Sequence, residues 1–170
     1  RYTAKKYSVA VSFGYYELCD EAIYSSYMFI GKNGEIVNNF RRVSKGWKEY
    51  DITDEHYKEG DGFKTFTYMG KRIALAVCGD LWYEENIEQI NKEKFDFLLY
   101  PVYVTYNTEM WRTKLVNEYA EQAKKIPRPV FLVNSICDAD NTRGGCYAFL
   151  NGKTVCEVPM GQDGYLLVRV

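Results

Sequence analysis

The most informative part of the sequence is Arg72-Ile-Ala-Leu-Ala-Val-Cys78, followed by Gly79-Asp80 and then by Glu84-Glu-Asn-Ile-Glu-Gln-Ile-Asn-Lys92. Its first part is an almost unbroken apolar run of strand length, which is typical of a strand buried on both faces. Its last part opens with acidic residues, which favour a helix N-terminus. The sequence therefore predicts a strand, a tight turn at Cys78 and a helix, the unit from which parallel α/β sheets are built.

The same alternation continues after this unit. Phe95–Val104 predicts a second buried strand, and Thr108–Lys125 predicts a helix with Thr108 as its cap. Val130–Val133 begins the next strand. Strands and helices therefore alternate through the middle of the chain.

Hairpins are predicted at both ends of the chain. The turn Gly31-Lys32-Asn33-Gly34 joins two apolar runs, and Asn151-Gly152 is the strongest short hairpin signal in the sequence. The expected terminal strands are Lys6–Tyr16, Ile23–Ile30, Glu35–Arg41, Cys146–Leu150, Thr154–Val158 and Tyr165–Val170. We therefore predict an α/β class with a mixed sheet.

Composition excludes several classes of function. The 170 residues are 46% hydrophobic and 26% charged, which is typical of one globular domain. A formal net charge of -1 leaves no excess of positive charge to neutralise phosphates, so we expect no nucleic-acid partner. No apolar run is long enough for a membrane span and the first residues lack a signal peptide's apolar core, so we expect no membrane partner and a cytoplasmic location.

The cysteines and the single histidine limit the chemistry further. Five cysteines without a CxxC pair indicate neither a disulfide framework nor a zinc site. His56 lies in a polar stretch and is expected to be exposed. We therefore expect no metal and no cofactor, and any nucleophile must be activated without an imidazole base.

Cys78 is the cysteine best placed for chemistry. It ends a buried strand before a probable helix, a geometry that presents a nucleophile at the carboxyl end of a sheet. The N–H of Gly79 is a candidate oxyanion donor, and a helix N-terminus lowers the pKa of a thiol. An inert buried cysteine in an apolar strand is the alternative, and it is the favoured interpretation for the other four cysteines.

These residues resemble the carbon-nitrogen hydrolase (nitrilase) superfamily. Arg72–Glu84 followed by Phe95–Pro101 is similar to the family's nucleophile strand and the helix and strand after it. Further similar segments follow in the family's order: Phe40-Arg41-Arg42, Glu59-Gly60-Asp61, Glu118–Gln122, Val133-Asn134-Ser135 and Gly144-Gly145-Cys146. The resemblance covers nearly the whole chain, and residues 1–170 are interpreted as the C-terminal part of a single carbon-nitrogen hydrolase domain.

The resemblance implies an αββα sandwich of the nitrilase type, often dimeric, with mixed β-sheets. It implies hydrolysis of a non-peptide carbon-nitrogen bond in an amide, carbamoyl group or nitrile of a small molecule. In the family a Cys forms a thioester, a Glu acts as general base and acid, and a Lys with a backbone N–H stabilises the oxyanion. A small-molecule amide or nitrile and a second copy of the chain are the expected partners.

The sequence departs from the family at two places. The base Glu belongs to a βαβ portion that precedes the hairpin in the family, so we expect this portion to be missing here and its Glu to lie upstream of Arg1. Arg42 matches the position of the family Lys. Lys48 is an equally ranked candidate for the role of that Lys, and Lys45 is a further source of an ammonium group. A second family Glu corresponds to Glu55 or Glu59.

Candidate substrate contacts are Gly79, Trp82, Tyr103 and Asn134, which lie near predicted strand ends. Core filling is the alternative for the aromatic members. The alternative function is a catalytically inactive module of the same fold, which would serve in ligand binding or protein interaction because Arg42 replaces the family Lys.

Overall fold

The computed structural model describes residues 1–47, 54–138 and 141–170. Its strands are β1 (Val11–Cys19), β2 (Ala22–Ile30), β3 (Ile36–Arg41), β4 (Tyr57–Lys58), β5 (Phe66–Tyr68), β6 (Lys71–Leu75), β7 (Phe97–Val102), β8 (Val130–Asn134), β9 (Ile136–Cys137), β10 (Thr142–Arg143), β11 (Cys146–Leu150) and β12 (Lys153–Val158). Its α-helices are α1 (Tyr2–Tyr7), α2 (Glu84–Lys92), α3 (Thr108–Met110) and α4 (Val116–Lys124).

The larger sheet has six strands in the order β12-β11-β8-β7-β6-β5. The central strands β6, β7 and β8 are parallel, whereas β5, β11 and β12 are antiparallel to their neighbours. The smaller sheet is an antiparallel β1-β2-β3 meander, to which β4 adds by pairing with β2 in parallel. The predicted mixed α/β architecture is therefore confirmed.

The two faces of the larger sheet contact different layers. Leu98 and Tyr100 point into a core shared with Trp111 and Tyr119 of the helical layer. Side chains that point to the opposite face of the sheet pack instead against the smaller sheet: Ile73 against Phe29, and Leu75 against Tyr27 and Phe40. Strand β6 is thus buried on both faces, as its apolar run predicts, and the two sheets pack face to face beneath the helices.

The long helix predicted from Thr108 is present but is not uniform. It runs through α3, a π-helical turn over Trp111–Leu115 and then α4. Its N-cap is Asn107 rather than Thr108, because the Asn107 Oδ1 accepts hydrogen bonds from the N–H groups of Glu109 (2.8 Å) and Met110 (3.3 Å).

The structure corrects the expected elements at the two termini. The first strand begins at Val11, since Tyr2–Tyr7 forms a helix that buries Ala4 and ends at Ser8 with a left-handed φ of 51°. Residues 165–170 are not a strand, because no ladder pairs them with any part of the described chain. Within the described residues, no helix has the length and hydropathy needed to cross a bilayer.

Candidate active site

Cys78 lies just beyond the carboxyl end of β6 and begins a 3₁₀ turn, Cys78–Trp82, that leads into α2. Its φ is 48°, a left-handed conformation that is uncommon for a residue with a side chain. Its side chain is partly exposed and packs at the margin of the helical core. The thiol is thus presented at a sharp strand-to-helix elbow, and it is not sealed in the interior.

The ends of the parallel strands bring the predicted site residues to one edge of the sheet. Because β6, β7 and β8 are parallel, their carboxyl ends meet at the same edge. Cys78 follows β6, Tyr103 follows β7 and Asn134 ends β8.

Tyr100 on β7 holds the elbow from beneath. Its hydroxyl donates a 2.6 Å hydrogen bond to the backbone oxygen of Cys78. Burial raises the pKa of Tyr100 well above its ordinary value, so the phenol keeps the proton that it donates. This bond connects the middle of the larger sheet to the residue carrying the thiol.

Asp80 fastens a second loop to the elbow. Its Oδ1 accepts from the N–H groups of Val43 (3.1 Å) and Ser44 (2.7 Å), and its Oδ2 accepts from that of Val77 (2.8 Å). The residue is fully buried, and burial raises the pKa of its carboxyl above the ordinary range while these N–H donors oppose the shift. Asp80 therefore ties the segment after β3 to the nucleophile turn.

Arg42 lies within this fastened loop. It is buried, and its Nε donates to the Ser44 Oγ at 2.8 Å. A Cβ placed on Gly79 would overlap the Arg42 Nη2 and would come within 3.2 Å of its Cζ. The guanidinium therefore rests directly against Gly79, the residue that follows Cys78.

The other predicted charged residues are placed differently. Lys48 lies outside the described residues, and Lys45 is exposed. Glu55 is exposed too, and its neighbour His56 contacts Asp54 through the Nδ1 atom at 2.9 Å. Glu59 has a buried Oε1, and the next residue, Gly60, donates its N–H to the Arg42 backbone oxygen at 2.8 Å. Glu59 thus adjoins the Arg42 loop.

Aromatic side chains border the elbow on its helical side. Trp82 is 42% exposed, and its ring meets that of Tyr119 edge-on at 5.1 Å. Tyr106 is 40% exposed and stacks on Trp111 at 6.3 Å. Burial raises the pKa of Tyr119, and the adjacent Cys78 adds to this shift. Tyr103 is 46% exposed at the same sheet edge.

Asn134 connects two loops through its amide. Its Nδ2 donates to the backbone oxygens of Val104 (3.3 Å) and Gly144 (3.1 Å), and its Oδ1 accepts from the Val104 N–H at 3.0 Å. Asn134 thus has a visible structural task at the sheet edge, and its role in substrate binding stays a prediction.

Sequence reasoning missed Asp80, although its signal was present. An acidic residue stands two positions after Cys78, where the flanking sequence is apolar or small. A carboxylate in such a place needs several donors to be tolerated in the interior. Val77 is a local donor, but the other two donors, Val43 and Ser44, lie some 36 positions upstream, and local patterns do not reveal that contact.

The family of the chain follows from the comparison with protein-family models. The carbon-nitrogen hydrolase model matches residues 1–170. The chain therefore belongs to the carbon-nitrogen hydrolase family. No curated protein sequence matches it significantly.

Solved structures show the same fold at low sequence identity. A carbon-nitrogen hydrolase from Helicobacter pylori G27 aligns with a TM-score of 0.75 and 16% identity over 94% of this chain and 61% of its own. An amidase from Nesterenkonia sp. AN1, carrying an acrylamide adduct at its active-site cysteine, aligns with a TM-score of 0.72 and 13% identity, over 92% of this chain and 61% of its own. The glutamine-dependent NAD+ synthetase of Acinetobacter baumannii aligns with a TM-score of 0.72 and 17% identity, over 96% of this chain and 32% of its own. The chain thus spans about three fifths of the length of the first two proteins.

Proposed function

We propose that Cys78 is the nucleophile of an enzyme that hydrolyses a carbon-nitrogen bond in a small amide, carbamoyl compound or nitrile. One observation carries the proposal: a partly exposed cysteine on a left-handed elbow has a buried arginine resting against the next residue. The membership of the chain in the carbon-nitrogen hydrolase family supports the same reaction class.

For an amide, the proposed reaction has two stages. The Cys78 thiolate attacks the carbonyl carbon, a C–S bond forms, and the oxygen takes the negative charge beside the Gly79 N–H and the Arg42 guanidinium. The C–N bond then breaks, and the amine leaves with a proton from the general acid. Water attacks the resulting thioester, which releases the carboxylic acid and restores Cys78.

The general base is proposed to be a glutamate supplied by sequence outside these 170 residues. This follows the family resemblance, in which that glutamate belongs to a preceding strand. Within the chain, the burial of the Glu59 Oε1 and the bond from Gly60 to Arg42 support Glu59 as the supporting carboxylate. Glu55, the other candidate, is exposed.

Arg42 is proposed as the cation that stabilises the oxyanion. A guanidinium stays charged at every working pH and offers several N–H donors, but its planar fork has a different reach from an ammonium. The contact with Gly79 supports this role for Arg42. The same role for Lys48, which the sequence offered as an equal alternative to Arg42, stays a prediction.

The proposed substrate is a small molecule with an apolar or planar acyl part. The rings of Trp82, Tyr103 and Tyr106 are each at least 40% exposed beside the strand ends that carry Cys78. Exposed aromatic surface of this kind offers apolar and stacking contacts. We also propose that two copies of the chain associate. The cytoplasmic location stays a prediction.

Alkylation by acrylamide tests the nucleophile without a known substrate. We expect acrylamide to modify Cys78 about tenfold or more faster than Cys19, Cys137, Cys146 and Cys156, since thiolate character controls the rate. Peptide mapping by mass spectrometry over a time course measures all five rates in one sample. Cys156→Ser should leave the Cys78 rate unchanged, whereas equal rates at all five cysteines would contradict the assignment.

Turnover completes this test in the protein extended by its natural upstream sequence. Cys78→Ala should abolish release of ammonia from a panel of small amides, and Cys156→Ser should not change it. Unchanged turnover in Cys78→Ala would refute the nucleophile.

The inactive module is the second candidate, and Arg42 is the observation that favours it. Its Nε donates a hydrogen bond to the Ser44 Oγ. This bond fixes the side chain, whereas a lysine at the same position would be free to move toward a substrate. In that case the extended protein would bind amides, as shown by calorimetry, without releasing ammonia.

A further inference from the structure

We propose that Gly79 is a positioning residue: its missing side chain creates the seat in which the Arg42 guanidinium lies against the turn that carries Cys78. The catalytic consequence of this inference rests on the proposed function. The seat itself rests on the contacts among Gly79, Arg42, Ser44 and Asp80.

The backbone does not explain why residue 79 is glycine. Its φ lies outside the left-handed region, in contrast to the neighbouring Cys78 with a φ of 48°. The backbone φ at position 79 therefore does not require glycine. The reason must lie in what a side chain would meet.

A side chain at position 79 would meet Arg42 and Ser44. An added Cβ would overlap the Arg42 Nη2 and would lie 3.2 Å from its Cζ and 3.0 Å from the Ser44 Oγ. The nearest atoms are thus the guanidinium itself and the hydroxyl group that accepts its Nε–H bond. The arginine head group fills the space that a side chain at position 79 would need.

Asp80 fixes the backbone that follows Arg42. The Asp80 Oδ1 accepts the N–H groups of Val43 and Ser44 at 3.1 and 2.7 Å, so the backbone after Arg42 cannot withdraw from the elbow without breaking both bonds. A methyl group at 79 would therefore be accommodated by moving the guanidinium, the end of a flexible side chain, rather than the loop. Such a movement takes the guanidinium out of its place against Gly79.

This arrangement matches arginine to glycine. A lysine at 42 has no Nη2 atom, so it leaves the seat partly empty but tolerates a methyl group at 79. We therefore expect Gly79→Ala to be harmful with Arg42 and much less harmful with Lys at 42. Such dependence of one substitution on another identifies a contact between the two side chains.

The experiment compares the wild type, Gly79→Ala, Arg42→Lys and the double variant. The measured quantities are the acrylamide alkylation rates of Cys78 and Cys156 in the same sample and the free energy of unfolding. Gly79→Ala should slow alkylation of Cys78 at pH 7 about tenfold relative to Cys156, because the displaced guanidinium no longer lies against the elbow that carries the thiol. Adding Arg42→Lys to Gly79→Ala should recover most of the Cys78 rate.

Gly14→Ala is the matched control, since its added Cβ would meet no atom closer than 3.8 Å, and it should change neither alkylation rate. A merely structural role for Gly79 would lower the free energy of unfolding equally in the single and double variants and leave the ratio of the Cys78 and Cys156 rates unchanged, which would overturn the proposal. An unchanged rate in a folded Gly79→Ala variant would overturn it too. A wild type whose Cys78 is not selectively alkylated would instead refute the proposed function.

Discussion

Glu17 and Arg41 form an ion pair in the smaller sheet. The Arg41 Nη2 and Nε donate to the two Glu17 carboxylate oxygens at 2.7 and 3.0 Å, and the Ser26 Oγ adds a 2.7 Å bond. The Arg41 guanidinium also lies 3.8 Å from the centroid of the Tyr24 ring. Because Arg41 ends β3 and directly precedes Arg42, this network anchors the strand that leads into the candidate site.

Replacing Glu17 by Gln should weaken folding in a pH-dependent way. The hydrogen bonds from Arg41, followed by that from Ser26, lower the pKa of Glu17 to about 2 from its ordinary 4.5. A depressed carboxyl pKa stabilises the fold fully above the ordinary value, and this contribution is lost as the pH falls from 4.5 toward 2. Glu17→Gln should therefore cost about 1 to 2 kcal/mol at pH 7, with solvent screening included, and less at pH 3.

Denaturant unfolding of the two proteins at pH 7, 5 and 3 measures this difference. Glu88→Gln on the exposed side of α2 is the matched control. A Glu17→Gln cost that stays constant between pH 7 and 3 would show that the pair does not control the pH dependence.

At the scale of elements, the hairpin between β11 and β12 depends on backbone conformation. Asn151 and Gly152 have φ values of 50° and 75°, the positive pair that a tight two-residue hairpin requires. A Cβ on Gly152 would also lie 2.8 Å from the Lys124 Cβ at the end of α4. The turn therefore sets both the strand register and the contact between hairpin and helix.

Gly152→Ala should lower the free energy of unfolding by about 1 to 2 kcal/mol, because alanine is strained at a positive φ. Thermal and denaturant unfolding measure the loss. Gly14→Ala in β1, whose φ is not in the left-handed region, should cost less. If the two variants lost equal stability, the left-handed backbone would not be the cause.

Elements with strong local signals were predictable, and those decided by pairing were not. The acidic start of α2 and the flanking turn predict Glu84–Lys92, and the structure has the same bounds. Residues 165–170 carry an apolar, β-prone pattern, but a strand also needs a neighbour that accepts its backbone hydrogen bonds. The described chain pairs no strand with them.

At the scale of the whole molecule, strand β1 exposes apolar surface at an edge of the smaller sheet. Tyr16 and Leu18 are 75% and 77% exposed at alternate positions of this strand. Exposed apolar side chains on an edge strand favour association.

We therefore expect this chain to form a dimer at micromolar concentration, as measured by light scattering after size-exclusion chromatography. Tyr16→Lys together with Leu18→Lys should shift the population toward monomer without changing the circular dichroism spectrum. Lys substitutions at Thr154 and Val155 of β12, also exposed, serve as the control. A wild-type chain that stays monomeric over the concentration range would contradict the expectation.

The family, the mixed α/β class and the elbow at Cys78 could be predicted from the amino-acid sequence, because they depend on local runs: an apolar strand, a small-residue turn and an acidic helix start. Three contacts became visible in the folded chain alone: Arg42 rests on Gly79, Asp80 holds the Arg42 loop, and Asn134 connects two loops. These contacts join segments far apart in the sequence, and their geometry depends on how the two sheets pack face to face rather than on any local pattern.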